Sequence, residues 1–80
     1  MQTTKAQLRA HIRRAQSLPP PEKRIALREA AGISRADLAS AVGVTPGTVW
    51  MWEKGKRQPT GIRLTRYIEA LDVLAANPIA

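Results

Sequence analysis

Residues that stop or start a helix cut this sequence at short intervals, and that punctuation limits what the chain can fold into. Pro19-Pro20-Pro21, Gly32, Gly43, Thr45-Pro46, the stretch from Gly55 to Thr60, and Asn77-Pro78 divide it into five segments. Proline is tolerated in the first turn of a helix but not in its interior, and glycine after the last turn closes one. Inside the segments, apolar residues recur at helical spacing: Leu8, Ile12 and Ala15 in the first, and Leu64, Ile68, Leu71 and Ala75 in the last. No alternating Val/Ile/Thr run and no Asn-Gly turn argues for a strand. The expected fold is all-α: one compact bundle of five helices over about 4–17, 21–31, 35–42, 45–54 and 61–76. Thr4 with Gln7, Ser34 with Asp37, Thr45 before Pro46, and Thr60 are the expected N-terminal caps, and Gly32 with Ile33 closes the second helix.

Size and composition narrow the function. Eighty residues at 8.8 kDa support one small domain. With no cysteine and a single histidine, His11, the chain has no disulfide framework, no Cys-based zinc site and no His-rich metal site. No apolar run approaches the roughly 18 residues of a membrane span. Lys5, Arg9, Arg13 and Arg14 are not followed by the apolar block of a signal peptide. The net charge of +7 favours a polyanionic partner, nucleic acid before anionic membrane. Phe is absent and there is one Tyr, so no row of aromatics can stack a single strand. The charge is also segregated. Residues 1–28 hold seven Lys/Arg against Glu22, and 54–66 hold Lys54, Lys56, Arg57, Arg63 and Arg66, while the stretch between them is weakly acidic. Such a chain suits a compact reader with basic edges.

The most informative constellation runs from Arg35 to Trp52. Two helices crossing steeply through a short turn need a small residue at the crossing, and Ala39 supplies it. The turn needs a left-handed residue, and Gly43 has no Cβ to oppose one. Leu38, Val42, Val44, Val49 and Trp52 would fasten both helices to the remaining core.

With these residues, the stretch from Arg24 to Leu74 resembles the lambda-repressor-like, Cro/XRE-type helix–turn–helix domain. The matching words are Leu27-Arg28-Glu29, Gly32-Ile33-Ser34, Asp37-Leu38-Ala39, Val42-Gly43-Val44-Thr45, Thr48-Val49 and Trp52-Glu53-Lys54-Gly55-Lys56-Arg57-Gln58-Pro59. The resemblance implies that the fourth helix enters the DNA major groove, with Pro46, Gly47, Thr48, Trp50 and Met51 near the bases. It implies phosphate contacts from Arg35, Lys54, Lys56 and Arg57, and Thr45 and Arg63 are expected to join that set. It further implies a largely buried structural ion pair between Arg28 and Glu53. Two departures stand out. Arg35 replaces the glutamine common at its position, and Pro46 and Gly47 replace the amide or guanidinium side chains that usually read bases.

Trp52 is expected in the core and Trp50 outside, against DNA or against a protein. Arg9, Arg13 and Arg14 read as a solvated helix face, with DNA or a protein partner as rival uses; His11 is assigned no chemistry. Arg63 and Arg66 oppose the dipole at the start of the last helix, where solvent and phosphate compete as their partners. Nothing supports catalysis, a metal or a cofactor: the six carboxylates are scattered, and the glycines form no phosphate loop after a strand. Residues 1–20 read as an N-terminal extension with an amphipathic basic helix, and 21–80 as the DNA-binding domain. The expected function is that of a sequence-preferring transcriptional regulator of the phage Cro or repressor type, which occludes an operator in a bacterial cytoplasm, on the nucleoid. Monomer and homodimer are both open, because the further dimerisation helix of many relatives does not fit before Ala80. The alternative is an antitoxin-like protein-interaction module on the same fold. A third reading, a membrane-surface helix at 4–17, is weakened by its thin apolar face.

Overall fold

The computed structural model describes residues 4–9 and 18–79, and every regular element among them is a helix. The elements are α1, described over 5–9, then α2 (Pro21–Ala30), α3 (Arg35–Val42), α4 (Pro46–Glu53) and α5 (Gly61–Ala76). None of these helices is long and apolar enough to cross a membrane.

The boundaries follow local chemistry. At α1 the capping box closes both ways: Gln7 N–H donates to Thr4 Oγ1 at 3.1 Å, and Thr4 N–H donates to Gln7 Oε1 at 2.8 Å. Residues 4–9 are exposed, Leu8 at 53%. Ile12 and Ala15, expected to continue the apolar face, lie outside the described residues, as do His11, Arg13 and Arg14. Pro21 opens α2 at its first position. The helix closes with paired reverse bonds, Gly32 N–H to Glu29 O at 3.0 Å and Ile33 N–H to Arg28 O at 3.2 Å. Ile79 N–H returns to Ala30 O at 2.8 Å, tying the end of the chain to the end of α2.

One core joins α2 to α5. α3 packs on α4 and α5, and α2 packs on the same two helices. Leu38, Ala39, Val42, Val49, Trp52, Tyr67 and Leu71 are buried almost completely, and Leu18, Leu27, Ile33, Val44 and Ala70 pack around them. Trp52 and Tyr67 meet with ring centroids 4.7 Å apart and tilted by 41°, a geometry aromatic pairs favour over a flat sandwich. Tyr67 is 0% exposed, and its hydroxyl has no hydrogen-bond partner among the described residues.

Two expectations about α5 are corrected. The inward stripe is Tyr67, Leu71 and Leu74, while Leu64 and Ile68 sit half-buried on its flank and Ala75 is exposed. The expected stripe and the observed one share Leu71 but differ by a rotation of the helix. The large ring of Tyr67 fills the space under Trp52 and sets that rotation. Thr60 occupies the N-cap position, yet its side chain makes no capping bond. The next residue, Gly61, is left-handed at φ +58, so the chain enters α5 in a different way from the entries at Ser34 and Thr45.

Candidate nucleic-acid interface

The pair α3–α4 is built from short-range signals. Ser34 Oγ accepts the Asp37 N–H at 3.0 Å and starts α3. Gly43, at φ +88, ends it, and the N–H groups of Gly43 and Val44 both donate to Ala39 O, at 2.8 and 3.0 Å. An L-residue at that φ would press its Cβ on the backbone. Thr45 Oγ1 then accepts the Thr48 N–H at 3.2 Å and starts α4, with Pro46 in its first turn. Ala39, 1% exposed, lets the helices approach closely.

Burial of Val49, Trp52 and Glu53 turns the opposite side of α4 outward. Of the five residues expected near bases, Pro46, Gly47 and Trp50 are exposed, and Thr48 and Met51 are half-buried. The Thr45 and Thr48 hydroxyls lie 2.9 Å apart. Lys54, Lys56 and Arg57 follow on an exposed loop, and Arg63 is exposed in the first turn of α5. Lys56 Nζ stands 5.8 Å from the centre of the Trp50 ring, within cation–π range. Thr48, Arg57 and Arg63 share a polar recess with Gln58 and Thr60. Two of these, Gln58 and Thr60, had no binding role assigned from sequence.

Behind this face an acidic group anchors α4. The Glu53 side chain is completely enclosed. Its Oε2 accepts from Arg28 Nε at 2.6 Å, and its Oε1 from Arg35 Nε at 2.8 Å and Arg28 Nη2 at 3.2 Å. Burial pushes the Glu53 carboxyl up, but the hydrogen bonds from Arg28 and Arg35 outweigh it and hold the carboxyl below its ordinary value. The bond to Glu53 raises Arg28 against the cost of its own burial. Arg28 Nη1 also donates to Ile33 O at 3.1 Å, so one guanidinium links α2, the turn before α3 and the end of α4.

Arg35 is placed otherwise than a dedicated phosphate ligand would be. Its Nε is committed to Glu53, although the side chain remains 38% exposed. Arg28 donates to both carboxylate oxygens, through Nε to Oε2 and Nη2 to Oε1, and Arg35 shares Oε1 with it.

Sequence reasoning gave no role to Arg24 or Tyr67. Arg24, 4% exposed, donates from Nε to Pro19 O at 2.6 Å and from Nη1 to Trp52 O at 2.9 Å. Its charge sits at the C-terminal end of α4, where the helix dipole favours a cation. Burial lowers its pKa, which remains that of a permanent cation at neutral pH. The available signal was spacing: Arg24 and Arg28 lie four residues apart on one face of α2, and Tyr67 lies four before Leu71.

A family profile described as helix-turn-helix matches residues 25–75. No curated protein and no solved structure gave a significant match.

Proposed function

The chain belongs to the helix-turn-helix family of the Cro/C1 type, and on that premise we propose that it is a sequence-preferring regulator of transcription that places α4 in the major groove of an operator. DNA binding follows from membership of the family; the regulatory mode is our reading. The phage Cro or repressor type fits a net charge of +7 whose basic residues flank the helix–turn–helix. Such a protein acts by occlusion, filling a site that polymerase needs.

The observation that carries the reading is the outer side of α4. It is exposed at Pro46, Gly47 and Trp50, and it runs directly into Lys54, Lys56 and Arg57. A helix N-terminus at base edges, followed by cations along the strand, is the docking geometry of this motif. Thr45, Arg35 and Arg63 complete the phosphate set in this reading. Residues 21–80 form the DNA-binding domain, and 1–20 an extension to it.

The test is binding to a duplex from the protein's own regulatory region against a scrambled duplex of equal length, by fluorescence anisotropy at several salt concentrations. A preference of ~10³-fold or more at physiological salt is expected. The salt dependence should correspond to about four to six phosphates per chain. Equal affinity for the two duplexes, or none for either, would remove base reading from the function. Footprint symmetry on the preferred duplex distinguishes a monomer from a dimer.

A further inference from the structure

The outward side of α4 is nearly bare of hydrogen-bonding side chains. It presents the Pro46 ring, the Gly47 backbone, the Trp50 indole at 38% exposure, and the half-buried Met51. The two hydroxyls nearby are partly occupied: Thr45 Oγ1 and Thr48 Oγ1 are 2.9 Å apart, and Thr45 Oγ1 also accepts the Thr48 N–H, which leaves the pair one O–H to donate. The Trp50 N–H adds one more donor. Guanine, adenine and thymine all offer acceptors in the major groove, so these isolated donors do not tell them apart.

Gly47 adds a second observation. Its φ is not left-handed, and an added Cβ would meet only Thr45 Oγ1, at an ordinary 3.9 Å. The fold therefore makes no demand for glycine there, although glycine weakens a helix. What glycine supplies is a bare stretch of helix surface that another molecule can approach closely. Trp50 lies one turn further along, its ring 5.8 Å from Lys56 Nζ, so the apolar surface has a cation beside it.

An apolar surface can discriminate only an apolar feature. In the major groove of unmodified DNA that feature is the C5-methyl group of thymine. We propose that α4 reads C5-methyl groups of pyrimidines by van der Waals contact with Pro46, Trp50 and Met51, Gly47 allowing the close approach. The inference rests on the reading of α4 as the groove-entering helix. The same chemistry is carried by thymine and by 5-methylcytosine. Each methyl removed from water on such a surface contributes about fourfold in affinity.

The experiment selects a preferred duplex from random duplexes about two helical turns long. The selected duplex is then remade with deoxyuridine for thymine, which removes the methyl and keeps every hydrogen-bonding group. Affinity is expected to fall about fourfold per contacted methyl, with the salt dependence unchanged. At each sensitive position a 5-methylcytosine–guanine pair is compared with an unmethylated one. A gain on methylation shows that either base serves, and no gain assigns the contact to thymine alone. Trp50→Ala and Met51→Ala should reduce the thymine-to-deoxyuridine ratio towards one, with their thermal melts checked for retained folding. Equal binding of the thymine and deoxyuridine duplexes by the unaltered protein would overturn the inference while leaving sequence-preferring DNA binding intact. Selection that enriches no duplex overturns both.

Discussion

Arg35 Nε donates to Glu53 Oε1 at 2.8 Å, so the first residue of α3 is bonded to the last residue of α4. Arg28 of α2 donates to both oxygens of the same carboxylate. One enclosed acidic group thereby connects three helices, and one of its partners is half-exposed where we place a DNA phosphate. The angle of α4 and the position of Arg35 are set by the same contact.

Replacing Arg35 separates its two uses. Arg35→Gln leaves the Arg28–Glu53 pair in place, and a partly exposed pair of this kind contributes at most about 1 kcal/mol to stability. Under the proposed function the same change should weaken DNA binding alike for preferred and scrambled duplexes, and lower the salt slope by about one. Anisotropy titrations over a salt series read this; an unchanged slope would take Arg35 out of the phosphate set.

Glu53→Gln is expected to be far more damaging. Arg28 is 8% exposed and would lose its counter-charge inside the fold. Breaking such a buried pair from one side costs roughly 3–5 kcal/mol, a large part of the stability of a small domain. The pH dependence has a definite sign. Because the folded carboxyl is held below its ordinary value, its contribution is present above the unfolded pKa and is lost as pH falls through the folded one. Melting temperatures from neutral pH downwards should therefore decline more steeply in the unaltered protein than in Glu53→Gln. Parallel curves would show that Glu53 is not the coupled group.

Tyr67→Phe tests the hydroxyl that has no partner among the described residues. A buried polar group with no hydrogen bond costs about 1–3 kcal/mol, so removing it while keeping the ring on Trp52 should stabilise the protein. Burial pushes the Tyr67 phenol up to about 12. Its neutral form is therefore favoured by folding. That stability is complete below the unfolded pKa of about 10 and is lost as pH rises through the folded value. Alkaline denaturation followed by circular dichroism should be shallower in Tyr67→Phe; a destabilised variant would reveal a partner for the hydroxyl.

Two glycines of the helix–turn–helix should respond oppositely to alanine. Gly43, at φ +88, is strained by any side chain. Gly43→Ala should cost roughly 1–2 kcal/mol. Gly47→Ala meets no such strain and should hold or raise stability by about 0.5 kcal/mol, while weakening DNA binding if the bare surface is used. Denaturant midpoints beside DNA titrations check both halves.

Much of the fold was legible because its signals are short-range. Thr4 with Gln7, Ser34, Thr45 with Pro46, and Gly43 each act within a few residues, and each lies at the helix boundary that its chemistry requires. Arg28 and Glu53, paired from the resemblance, lie 2.6 Å apart. Thr60 shows where a local signal stops being enough, because the same residue type caps α4 with its side chain and does not cap α5.

What the sequence determined by itself was therefore the order of the helices, the ends of those from α2 to α5, and the basic edges of the chain. Hydrogen bonds over three or four residues and the sum of charges do not depend on how helices are packed. Only the tertiary structure decided which face of α5 is buried, that Tyr67 lies under Trp52, that Arg24 closes the end of α4, and that Arg35 shares Glu53 with Arg28. Each joins residues far apart in sequence, and a side chain that several helices can reach chooses its partner only once their packing has fixed the distances.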